Sequence, residues 1–141
     1  MLRALSVKGN ELVDFGAGSG RVILSAVAEG ASESRSYGYY LPENKGMRYF
    51  FDAMLIAPAT LTQDRVEWIG KDILDLKDLN GSPSCAFSFW VGFPLPVQEH
   101  ILQLCSETAS VRTIAVFKDS KWRHADQGML LFFLFSFIVS R

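Results

Sequence analysis

The chain has 141 residues and a net charge of −1, with 49% hydrophobic and 21% charged residues. That length suits one domain with a real core, and the composition excludes a disordered chain. The balanced charge argues against a strongly basic, self-sufficient nucleic-acid binder, and two cysteines, Cys85 and Cys105, are too few for a disulfide framework or a zinc cluster.

Both cysteines sit among apolar residues and read as buried free thiols, which suits a reducing compartment. The first eleven residues, MLRALSVKGNE, lack the long apolar run of a secretory signal. An intracellular protein, cytoplasmic or nuclear, is expected.

Taken in order, Glu11 to Phe15 reads as a short apolar strand. Ser19 or Gly20 then opens a helix to about Ala28, with Val22, Ile23 and Val27 on its apolar face, and Gly30 ends it. Between them runs D-F-G-A-G-S-G, in which Gly16, Gly18 and Gly20 recur at every second position. Glycine permits a tight turn there and lets backbone N–H groups approach a ligand. The spacing differs from the G-x-G-x-x-G of dinucleotide folds. Asp14 would repel a pyrophosphate and would suit a cationic ligand or one bearing an amino group. The alternative is a strand–helix turn that holds nothing.

Ser36 to Leu41 is aromatic and strand-like. Pro42 begins a second helix that runs to about Ala57, where Pro58 stops it. Arg65 to Ile69 is a third strand, followed by a loop or helical turn over Asp72–Leu79 and a turn at Asn80–Pro83. Cys85 to Val91 is a fourth strand, apolar enough to be buried on both faces. Pro94 and Pro96 frame a loop, Val97 to Cys105 is a third helix, and Arg112 to Lys118 is a fifth strand. Met129 to Val139 is a run of 11 residues, almost all apolar and with four Phe. A membrane-spanning helix needs about 20 such residues. The run is a buried strand or short helix, or else a membrane-contacting tail or an end foreign to the domain; no membrane span is expected.

Strands alternate with helices five times, the pattern of an α/β, doubly wound, mainly parallel sheet of about five to six strands. Ligands in such sheets bind beyond the carboxyl ends of the strands. The expected division is a Rossmann-like domain over 1–123 and an apolar tail over 124–141 that adds an extra strand at most.

D-F-G-A-G-S-G in this context resembles motif I of class I S-adenosylmethionine-dependent methyltransferases, over roughly Glu11 to Lys118. The resemblance implies an incomplete class I methyltransferase core with S-adenosylmethionine as cofactor. It implies that Asp14, Gly16, Ala17, Gly18 and Gly20 hold the methionine end. The family's acid at the end of the second strand, which grips the ribose, falls on Tyr40; Glu43 at the next helix start is the compensating candidate. Asp72 and Ile73 fall where the family holds adenine, by a carboxylate and an apolar residue. Asp72 as the cap of the following turn is the competing reading. The loop S-F-W-V-G-F-P would face the departing methyl group, with Ser88, Trp90 and Phe93 as candidates beside it and Ser88 also counted toward the cofactor. Phe89 and Trp90 as plain core residues are the alternative. The motif set is also similar to the non-SET histone lysine methyltransferases of the telomeric-silencing type.

The expected activity is methyl transfer to a protein lysine or nucleic-acid acceptor, in a shortened form that a protein partner completes. The other reading, from a different class, is a catalytically silent methyltransferase-like module acting through protein contacts. His100 and His124 show no ligand pattern and read as surface or incidental; no metal is expected. Lys118, Lys121 and Arg123 form a small basic cluster, most simply a solvated segment.

Overall fold

The structure, a computed structural model, describes residues 5–16, 20–31, 36–40, 66–117 and 132–136. Six strands form one sheet: β1 Leu12–Phe15, β2 Ser36–Tyr40, β3 Val66–Gly70, β4 Cys85–Phe89, β5 Thr113–Phe117 and β6 Phe132–Ser136. Their order across the sheet is β3-β2-β1-β4-β5-β6. The first five are parallel and β6 runs antiparallel to β5. Phe132–Ser136 lies inside the apolar run of the tail, so the sheet draws one strand from beyond residue 123.

Two helices lie among the described residues, α1 over Arg21–Ala28 and α2 over Leu95–Glu107. The helix expected over Pro42–Ala57 lies outside the described residues. So do Lys118, Lys121, Arg123 and His124. No described helix is long and apolar enough to cross a membrane.

Strand alternation divides the core into two layers. Val13, Phe15, Ala86, Ile114 and Val116 point to one side and pack with Ile101, Leu104 and Cys105 of α2. Leu12, Cys85, Phe87, Ala115 and Phe117 point to the other and pack with Ala26 of α1 and with Leu5 and Val7. The central strands are apolar on both faces because both faces are covered.

The boundaries differ from the sequence reading in two instructive places. β4 ends at Phe89, two residues before the expected Val91. There the Phe93 N–H donates to the Trp90 carbonyl at 3.1 Å, and Gly92 has φ +88, so the chain folds into a turn. α2 begins at Leu95, with Pro94 as its N-cap and Pro96 in its first turn. The prolines therefore start the helix rather than frame a loop, since the first turn has no N–H partner to lose.

Candidate functional site

The strand order reverses direction between β1 and β4: β2 and β3 lie to one side of β1, and β4, β5 and β6 to the other. Such a switch point opens a crevice beyond the carboxyl ends of the two strands. The glycine turn leaves β1 at this crevice and the W-V-G-F-P turn leaves β4 beside it, because Phe15 pairs in register with Ser88.

Asp14 precedes the glycine turn and is 2% exposed. It shares the α1 side of the sheet with Leu12 by strand alternation. Burial pushes its carboxyl up to about 8, because an ionised carboxylate loses its hydration there. Buried near the carboxyl end of β1, this group gains most from a cationic neighbour.

Gly16 follows with φ +75, and a Cβ built on it would lie 2.6 Å from Cζ of Phe93. The backbone conformation favours glycine here, and a Cβ would in addition press on the tip of the Phe93 ring. Gly20 caps α1 with φ 70 and no side-chain cap. Ala17 and Gly18 lie outside the described residues.

Phe93 is fixed from both sides. Its N–H donates to Trp90 and its carbonyl accepts from Gln98 Nε2 at 2.7 Å. The ring packs on the α2-side core. Trp90 is 8% exposed within that core, and its backbone N–H donates to the Phe117 carbonyl at 2.8 Å. Ser88 is fully buried, and its Oγ has no hydrogen-bond partner among the described residues. Phe89, by contrast, is 46% exposed and stacks on Phe117, with centroids 4.5 Å apart.

On the other side of β1 the arrangement is sparser. Tyr40 ends β2, its backbone in register with Gly70 of β3. Glu43 lies outside the described residues. Asp72 Oδ1 accepts from the Leu74 N–H at 2.9 Å and so caps the single 3-10 turn Ile73–Asp75. That is the competing reading of Asp72, present in the structure; its second carboxylate oxygen leaves room for another donor. Ile73 is buried in the α2-side core.

The structure thus brings Asp14, Gly16, Ser88, Trp90 and Phe93 to one switch point, and places Asp72 and Ile73 on the loop after β3. His100 is a residue whose part the sequence did not disclose. Its Nε2 lies 2.9 Å from the Leu76 carbonyl. A carbonyl can only accept, so Nε2 carries the proton, and His100 ties α2 to the loop that holds Asp72 and Ile73. Nothing in its spacing signals this, since Leu76 is distant in sequence. Among the described residues no group of three His, Cys, Asp or Glu gathers as a metal site.

No protein-family model matches the chain, and no curated protein matches its sequence. Solved structures do match its fold. The methyltransferase domain of bacterial CtHen1 aligns with a TM-score of 0.64 at 13% identity, over 82% of this chain and 61% of that one. The SAM-dependent O-methyltransferase from Thermotoga maritima aligns with a TM-score of 0.65 at 17% identity, over 85% and 42% of the two chains. PKMT2 from Rickettsia typhi, in complex with AdoHcy, gives 0.61 at 22% identity, over 78% and 21%. The chain has the fold of class I S-adenosylmethionine-dependent methyltransferases. It spans 61% of the first of these structures and 21% of the last.

Proposed function

We propose that the chain binds S-adenosylmethionine at the β1 glycine turn and passes its methyl group to an acceptor at the β4 turn. The observation that carries this reading is the pairing of a buried carboxyl, Asp14, with a glycine, Gly16, whose Cβ position is already taken up by Phe93. An amino acid's ammonium group would meet Asp14, and the glycine backbone would admit the ligand closely. Gly16, Ala17, Gly18 and Gly20 cradle the methionine end in this reading. Tyr40 and Glu43 attend the ribose, and Asp72 with Ile73 the adenine.

Bound there, the cofactor supplies an electrophilic methyl group on a sulfonium. This chain's residues have to align the acceptor in line with it and keep water out. Trp90 and Phe93 form the dry wall for that step, with the Ser88 hydroxyl sealed behind them. The acceptor we favour is a lysine side chain of a protein, which must shed its proton before attack; burial beside aromatic rings helps it do so. Between Asp78 and Glu99 the chain carries no charged side chain, so the β4 turn offers no grip on a phosphate backbone. A nucleic-acid acceptor is the other outcome of the same test. For the motif set we propose a likeness to the telomeric-silencing type of lysine methyltransferase.

Calorimetric titration with S-adenosylmethionine tests the cofactor site. Saturable heat in the micromolar to millimolar range is expected, and Gly16→Val should abolish it. Absence of heat and of thermal shift at millimolar cofactor would sink the reading. Labelled cofactor offered with lysine peptides and, separately, with tRNA then identifies the acceptor.

The second reading, a silent module acting through protein contacts, is favoured by Tyr40. A phenol there cannot make the bidentate ribose contact of a carboxylate. Turnover on any acceptor refutes it. In either case we propose a Rossmann-like domain over 1–123 to which the tail over 124–141 adds β6 as an extra strand, with a protein partner completing the acceptor side.

A further inference from the structure

We infer that Phe93 is a positioning residue that couples the β4 turn to the β1 glycine turn across the switch point. The inference rests on the assignment of the glycine turn to an S-adenosyl ligand and names how that site is held in shape. Three observations on different elements carry it.

The ring lies against the one backbone position that leads from β1 into the turn, with Cζ 2.6 Å from where a Gly16 Cβ would be. Phe93 is itself anchored through both its backbone groups, to the Trp90 carbonyl at 3.1 Å and to Gln98 Nε2 at 2.7 Å. Gln98 belongs to α2, and Trp90 is joined to the end of β5 through the Phe117 carbonyl at 2.8 Å. The backbone of Phe93 is therefore tied to α2 and to the β4–β5 carboxyl ends, and its partly buried ring packs on the α2-side core. Its counterpart in the contact is the most permissive residue type, whose φ of +75 is one of several such a residue can adopt. An aromatic ring seated on the core against a flexible glycine biases the conformation that the glycine adopts. Gly92, between Trp90 and Phe93 in the β4 turn, has open space where a Cβ would be. A ligand that presses on the glycine turn is thus felt at Trp90, inside the same β4 turn.

The full chain is titrated with S-adenosylhomocysteine by calorimetry in wild type, Phe93→Ala, Phe93→Leu, Phe93→Tyr, Gly16→Ala and the Gly16→Ala/Phe93→Ala pair. Phe93→Ala should weaken binding about tenfold, and Phe93→Leu and Phe93→Tyr should restore it to within about threefold, since a ring-sized apolar group suffices. Gly16→Ala should cost less in the Phe93→Ala background than in wild type, because part of its penalty is the collision with the ring. In a Trp68→Phe/Trp122→Phe chain, the emission of Trp90 should change on adding the ligand, and Phe93→Ala should remove that change. Merely structural packing would not produce this last signature.

Equal affinity of wild type and Phe93→Ala, or an additive Gly16/Phe93 cycle with silent Trp90 emission, overturns the inference while leaving the cofactor site standing. Failure of wild type to bind at all overturns both. Should Phe93→Ala lose its cooperative melt, the Trp90 signal of the Trp68→Phe/Trp122→Phe chain decides the matter: a change on adding ligand supports the inference and silent emission overturns it.

Discussion

Asp14 is the residue on which the charge logic turns. Its carboxyl sits at about 8 in the folded chain against 3.8 for an unburied one. In the unfolded chain it ionises near 3.8, so its contribution is fully present below that pH and is lost as pH rises toward about 8. Asp14→Asn should therefore narrow the stability loss between pH 5 and pH 8, by a few kcal/mol at most on the order-of-magnitude scale of one pKa unit per about 1.4 kcal/mol. Chemical denaturation of both proteins across that range measures it. Ligand binding runs the other way. An ammonium group needs the ionised carboxylate, so affinity for S-adenosylhomocysteine should rise as pH climbs through about 8, and Asp14→Asn should flatten that rise. This residue was legible in the sequence because it stands two positions before the first glycine. The fate of Ser88 was not: its type suggests a donor at the site, while strand alternation turns its hydroxyl into the α2-side core. Only the strand register could show that.

At the scale of elements, a hydrogen bond from His100 to the Leu76 carbonyl joins α2 to the loop after β3, beside the apolar packing of Ile73 and Leu76 on the same helix. His100→Ala should cost about 1–3 kcal/mol, because it strands a carbonyl at the edge of the core. It should also lower protection of the Leu74–Leu76 amides in hydrogen exchange. If the amides exchange unchanged, the tie is not what holds the loop. The elements themselves were largely readable. Apolar runs such as Cys85–Phe89 show no alternation because helices cover both faces, and that signal survives without knowledge of the partners. Element ends were harder. The β4 end depends on the Trp90–Phe93 hydrogen bond and a left-handed Gly92. The α2 start depends on Pro96 lying within a first helical turn, which two prolines in a row of three residues disguise as a loop. Asp72 shows a further limit: one side chain type satisfies a turn cap and a ligand contact equally well, and the cap is what the folded chain displays.

For the molecule as a whole, the sheet formed by the described residues has β3 at one margin and β6 at the other. β6 reads FFLFS, without charge, proline or glycine. Natural sheet margins usually carry one of these to discourage pairing with another chain. The chain should therefore associate in a concentration-dependent manner, and Leu134→Lys, opposite Ala115 in the ladder, should reduce that association. Light scattering across a dilution series checks this; equal scattering by the two proteins would mean that the margin is covered.

The two thiols give the fold an internal timer. Cys85 lies in the middle strand layer and Cys105 in α2, both free and buried. Burial pushes them up to about 11 and about 12. A thiol reagent reacts with thiolate, so neither should be alkylated while its shelter is intact. Their modification rates then report openings of the structure, one for the sheet and one for the helix. Equal rates for both would mean that sheet and helix come apart in one event. A faster Cys105 would mean that α2 lifts first, carrying Gln98 and the support of the β4 turn with it.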